Sequence, residues 1–224
     1  MPRMRTLLFL SLVLVGCSDN SNNNPPADAA TPDTTTVALD CPSYCTEIQA
    51  NCTGANAQYP TETTNAHCLA ACASFPTGTL ADTSMNTLGC RIYHAGAPAK
   101  SDPATHCPHA GPGGDLTSVT SPPGTCGDAC TSFCTLEIKA CGTTTSAPTT
   151  GQYADMNACI TACKAFPNST HKYTITSAGD SLACRLYHAT NAAITGNAAT
   201  HCPHTGPTPA GATNPCLAGS AATP

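Results

Sequence analysis

After an apolar run at its start, the chain places its inward-facing residue types at helical intervals, and those residues are mostly cysteine and alanine. Cys41, Cys45 and Cys52 stand at i, i+4 and i+11, within about 40° of one another on a helical wheel. Asp40 is a capping type directly ahead of them, and Pro42 is tolerated in a first turn. Cys130, Cys134 and Cys141 repeat the spacing behind Asp128. Cys68 and Cys72, like Cys159 and Cys163, are four apart in alanine-rich stretches. Those stretches stop at Phe75-Pro76 and Phe166-Pro167, because a residue ahead of proline avoids the helical region. A third helix is predicted to begin at Asn86 or Asp180, carrying Cys90 and His94, or Cys184 and His188, on one face. The Gly- and Pro-rich stretches after His109 and His204 read as loops.

The pattern occurs twice because the sequence does. Cys41, Cys45, Cys52, Cys68, Cys72, Cys90, Cys107 and Cys126 match Cys130, Cys134, Cys141, Cys159, Cys163, Cys184, Cys202 and Cys216 in order. Leu88-Gly-Cys-Arg-Ile-Tyr-His-Ala95 recurs as Leu182-Ala-Cys-Arg-Leu-Tyr-His-Ala189, and Ala104-Thr-His-Cys-Pro-His-Ala-Gly-Pro112 as Ala199-Thr-His-Cys-Pro-His-Thr-Gly-Pro207. The expected fold is all-α and disulfide-rich. It comprises two tandem homologous modules, 41–126 and 127–216, each of three short helices plus a Gly/Pro-rich loop, with a tail at 217–224.

The first residues read as an export signal. Arg3 and Arg5 precede an apolar run from Thr6 to Val15, too short to span a bilayer. The run ends in Leu14-Val15-Gly16-Cys17, which resembles the lipobox of bacterial lipoprotein precursors. The resemblance implies that residues 1–16 are removed and that Cys17 carries the lipid: a diacylglycerol on sulfur and an N-acyl chain, palmitate among them. Two or three acyl chains anchor a protein stably. Residues 17–40 then form the lipidated Cys and a flexible tether, reaching roughly 25–30 Å by random-coil scaling. Ser18 after the lipidated Cys favours the outer membrane, by analogy with enteric lipoproteins.

Composition explains why the cysteines matter. From residue 17 onward there are only 20 Leu, Ile, Val and Phe and no Trp. Such a chain does not offset folding entropy by apolar burial alone. Of the 17 Cys, setting Cys17 aside leaves sixteen, two sets of eight in an oxidising compartment. Each disulfide contributes about 2–4 kcal/mol. Two facing C-x3-C helices give two rungs, Cys41–Cys72 and Cys45–Cys68, and likewise Cys130–Cys163 and Cys134–Cys159. This looks like the twin-C-x3-C hairpins of several unrelated small proteins, a likeness of shape that implies no function. The other cysteines are assigned as Cys52–Cys90, Cys107–Cys126, Cys141–Cys184 and Cys202–Cys216, a choice that helical spacing does not dictate. No bridge is expected between the modules.

Catalytic signatures are missing. There is no C-x-x-C, H-E-x-x-H, G-x-S-x-G or phosphate loop. Gly179-Asp180-Ser181-Leu182 resembles the opening block of GDSL-type hydrolases, but it reads better as a helix start. The chain has 13 acidic residues against 8 basic ones, which disfavours nucleic acid as a partner. Histidine is the sharpest chemical signal. His94, His106 and His109 are repeat-matched to His188, His201 and His204, whereas His67 and His171 have no counterpart. One reading has the six matched residues hydrogen-bonding loop carbonyls and packing around disulfides, with no cofactor. The alternative makes each trio a ligand set for Cu or Zn, or supplies haem with an axial ligand. The function expected is therefore that of a non-enzymatic, lipid-anchored envelope protein, binding an unidentified protein or small molecule or serving a structural role. A metal or haem carrier is the alternative.

Overall fold

Helix α1 (Cys41–Asn51) starts where the sequence caps it: the Asp40 side chain accepts a hydrogen bond from the Ser43 N–H at 2.8 Å. In this computed structural model the described residues are 37–60, 62–114, 125–146, 150–167, 177–208 and 215–217, all within one compact unit, Val37–Pro224. Cys17, most of the 17–40 segment and His171 lie outside them. Helix α2 (Ala66–Cys72) follows a 3₁₀ turn at Gly54–Asn56, and then come α3 (Leu88–Ala95), α4 (Ala97–Ser101) and α5 (Pro103–Ala110). The second set is α6 (Ala129–Cys141), α7 (Met156–Cys163), α8 (Leu182–Ala192) and α9 (Ala198–His201), which runs into a 3₁₀ turn at Cys202–His204. The described residues contain no strand, and none of their helices is long and apolar enough to cross a membrane.

The structure is all-helical and holds eight disulfides. Cys41–Cys72 and Cys45–Cys68 rung α1 to α2, and Cys130–Cys163 and Cys134–Cys159 rung α6 to α7. The other pairings differ from expectation. Cys52 bonds Cys107, not Cys90, and Cys90 bonds Cys126. Correspondingly, Cys141 bonds Cys202 and Cys184 bonds Cys216, replacing the expected Cys141–Cys184 and Cys202–Cys216. The reason is how α1 meets α3. Asn51 at the end of α1 donates to the Ala95 carbonyl at the end of α3, 2.8 Å away, so the two C-termini lie side by side. Cys90 is five residues earlier, about 7.5 Å down the α3 axis, beyond the reach of a disulfide from Cys52. Helix α5 fills the place beside Cys52 instead.

Two further expectations are corrected. The third helix of each set starts one residue later than predicted, capped by Thr87 and Ser181, whose hydroxyls accept from the Cys90 and Cys184 N–H groups at 3.2 and 3.1 Å. Asn86 donates to Thr135 instead, and Asp180 pairs with Arg185. Ser181, the residue of the GDSL-like block, is thus a helix cap. Each set also has more than three helices, the second adding α9 and the first folding 97–110 as α4 and α5. Their prolines, Pro98 and Pro103, sit in first turns where a missing N–H costs nothing, and Asp102 caps α5.

Each set has a small aromatic core closed by a buried arginine. Phe75 meets Tyr44 edge-on and lies 4.1 Å beneath the Arg91 guanidinium, while Phe166 meets Phe133 and lies 3.9 Å beneath Arg185. The two sets also touch through polar groups, Arg91 to Ser132 at 3.3 Å and His67 to Asn191 at 3.1 Å.

Met85 holds φ +80°, and Gly179 occupies the matching place with φ +93°. A side chain at positive φ strains the backbone by about 1 kcal/mol or more. Met85→Gly is therefore expected to stabilise the fold by about 1 kcal/mol, read as a higher urea midpoint.

The cores differ at one ionisable position. Glu137, fully buried on α6, stands where α1 has Ile48. The Thr205 hydroxyl lies 2.8 Å from Glu137 Oε1 and 2.7 Å from the Cys202 carbonyl oxygen. A hydroxyl has one proton and the carbonyl has none, so both contacts are made only if a neutral Glu137 donates to Thr205. Burial agrees, pushing the Glu137 pKa up to about 8. The native state then holds a proton that the unfolded chain releases near pH 4.5. Stability should be greatest below that pH and fall by about 1.4 kcal/mol per unit until pH reaches the folded pKa. Glu137→Gln should flatten this slope in urea titrations run at several pH values.

Candidate metal centre

Three segments converge at one end of each set. In the first, α3 supplies His94, and α5 supplies His106 and His109, one turn apart on either side of Cys107. The Cys52–Cys107 bond ties this turn to the end of α1. Arg91 binds the two ligand-bearing segments together. Its Nη1 donates to the Thr87 carbonyl at the start of α3, and its Nε donates to the Gly111 carbonyl just past His109. Arg185 repeats both bonds, to Ser181 and Gly206.

The imidazoles face one another. His94 Nδ1 lies 2.9 Å from His106 Nδ1, and the His109 ring stands perpendicular to His94 with centroids 5.2 Å apart. His188 Nδ1 lies 2.9 Å from His201 Nδ1 and 3.3 Å from His204 Nδ1. In each trio one nitrogen per ring falls within 4.8 Å of the other two. The far nitrogens of the central rings are committed elsewhere. His94 Nε2 is 3.2 Å from the Thr83 carbonyl, and His188 Nε2 is 3.1 Å from the Ser177 carbonyl. A carbonyl only accepts, so Nε2 carries the hydrogen and Nδ1 points its lone pair into the trio. That is the outer-shell arrangement of metal-binding histidines.

Electrostatics favour neutral rings. Burial lowers the pKa of His94, with the neighbouring imidazoles adding to the effect, and takes His188 down to about 4. Burial also lowers His201 and His204. Neutral imidazole is the ligand form, so protons compete little for the nitrogens of these four rings near neutral pH.

All six repeat-matched histidines thus fall into the two trios. His67 does not join one: its ring lies between Glu62 and Asn191. Glu137 is a residue that the sequence reading leaves out, and its signal was an acidic residue aligned with the inward Ile48. The sulfurs of Cys90 and Cys126 also lie within 4.8 Å of a His94 nitrogen, as do those of Cys184 and Cys216 with His188.

Residues 13–121, just under half of the chain, match the BfoA family C-terminal domain. The match spans the first eight-cysteine set up to Gly114 and beyond, ending short of Cys126. No curated protein and no solved structure matches the chain.

Proposed function

We propose that this chain is a lipid-anchored protein of the bacterial cell envelope that binds copper or zinc at two three-histidine sites. The observation that carries the reading is the pair of trios in which one nitrogen of each ring converges while Nε2–H of the central ring is held by a backbone carbonyl. Three neutral nitrogen donors suit Cu and Zn and leave a coordination position open. Haem is the weaker choice, since it would draw on one imidazole of each trio where three converge. The role we read is that of carrier or store, and the repeat-matched cysteines and histidines make the second set a copy of the first.

The anchoring part rests on Leu14-Val15-Gly16-Cys17. Cys17→Ser should abolish fatty-acid labelling and leave uncleaved precursor, and normal labelling would remove the lipid anchor. For the metal part, the oxidised chain is incubated with Zn²⁺ or Cu²⁺, desalted and analysed for metal. Two ions per chain are expected. A chain that retains none, or retains the same amount after all six trio histidines become alanine, contradicts the proposal.

A further inference from the structure

We infer that each module holds an alternative metal site, made available by reduction, in which His94 (His188 in the second module) exchanges its imidazole partners for Cys90 and Cys126 (Cys184 and Cys216) and the three bind a thiophilic divalent ion of the Zn²⁺ class. It rests on the preceding reading only through the shared histidines.

The geometry is present in both copies. Cys90 and His94 lie one turn apart on α3, and the disulfide to Cys126 brings the second sulfur to the same face. All three donor atoms fall within 4.8 Å of one another, within reach of one ion with Zn–S near 2.3 Å and Zn–N near 2.0 Å once the sulfurs part. The sulfurs need only move from bonding distance to about 3.8 Å apart. Cys126 and Cys216 lie outside the helices, so one partner of each pair can shift without unwinding an element. In the hairpin rungs both cysteines are held at helices. Those rungs, the Cys52–Cys107 bond and the hydrogen bonds of the buried Arg91 do not run through this bond.

Charge supplies the preference. Three imidazoles leave a bound divalent ion with its full +2 charge in a half-buried site. Two thiolates cancel that charge, which a low-dielectric setting rewards. In the reducing step a dithiol gives two electrons and two protons to the Cys90–Cys126 bond and leaves as its own disulfide. Binding of the ion then displaces the two thiol protons.

The test uses the full chain and Cd²⁺ as the probe. After graded dithiol treatment and desalting without oxygen, thiols are alkylated with and without Cd²⁺ and mapped by mass spectrometry. Cys90, Cys126, Cys184 and Cys216 should be alkylated about tenfold more slowly with the ion bound, with a sulfur-to-cadmium absorption band appearing in step. Helical circular dichroism, followed throughout, should persist. Equal alkylation with and without Cd²⁺, or loss of helix before these four thiols appear, overturns the inference. So does an undiminished band when all four are serine. The trio sites are read separately in the oxidised chain, where no thiolate exists, so failure of one reading leaves the other standing.

Discussion

His94→Ala should empty the first site and leave the second filled, so that metal falls from two ions per chain to one. His94 is the central ring, and removing it takes away both a donor and the partner that orients His106. The loss should also appear as stability. An ion present at a hundred times its Kd adds about 2.7 kcal/mol through mass action, and this increment should vanish for the first site. The metal-free variant provides the baseline, because truncating a buried imidazole has a cost of its own. Urea titrations of both proteins, with and without Zn²⁺, separate the two. An unchanged metal-dependent increment would mean that the ion sits elsewhere.

The second large effect concerns the disulfide between the ligands. Cys107 lies between His106 and His109, and its bond to Cys52 fixes the turn that carries both. Replacing Cys52 and Cys107 together by serine should weaken metal binding at the first site by about 2 kcal/mol or more, roughly thirtyfold. The matched control is the Cys41, Cys72 double serine variant, which removes a hairpin rung remote in sequence from the histidines. It should cost about 2–4 kcal/mol of stability and leave metal affinity within a few-fold. Competition titrations with a chromophoric chelator read the affinities. Equal losses in both variants would reduce the effect to general loosening.

Much of this architecture is legible in local chemistry. Asp40 and Asp128 sit next to helically spaced cysteines, and the i, i+4 pairs on facing helices leave little freedom for the rungs. Where the reading departs from the structure, the deciding fact is long-range. The choice between Cys90 and Cys107 as the partner of Cys52 depends on α1 and α3 ending side by side, which no spacing in the chain encodes. Helix α5 is hidden by Pro108 within it and glycines after it, although Asp102-Pro103 is a start signal in hindsight. The histidines were visible as a repeated set. Their convergence was not, because His94 meets the other two only once α5 has packed against α3 with Arg91 holding Gly111. Glu137 is hidden for another reason: one acidic residue in a helical stretch is usually solvated, and only its alignment with Ile48 places it inside.

X-ray absorption at the metal edge of the loaded, oxidised full chain tests the central claim most directly. The account predicts a first shell of about three nitrogen donors near 2.0 Å, outer-shell scattering characteristic of imidazole rings, and no sulfur. A first shell of oxygen alone, or one containing sulfur while all eight disulfides are intact, would contradict it.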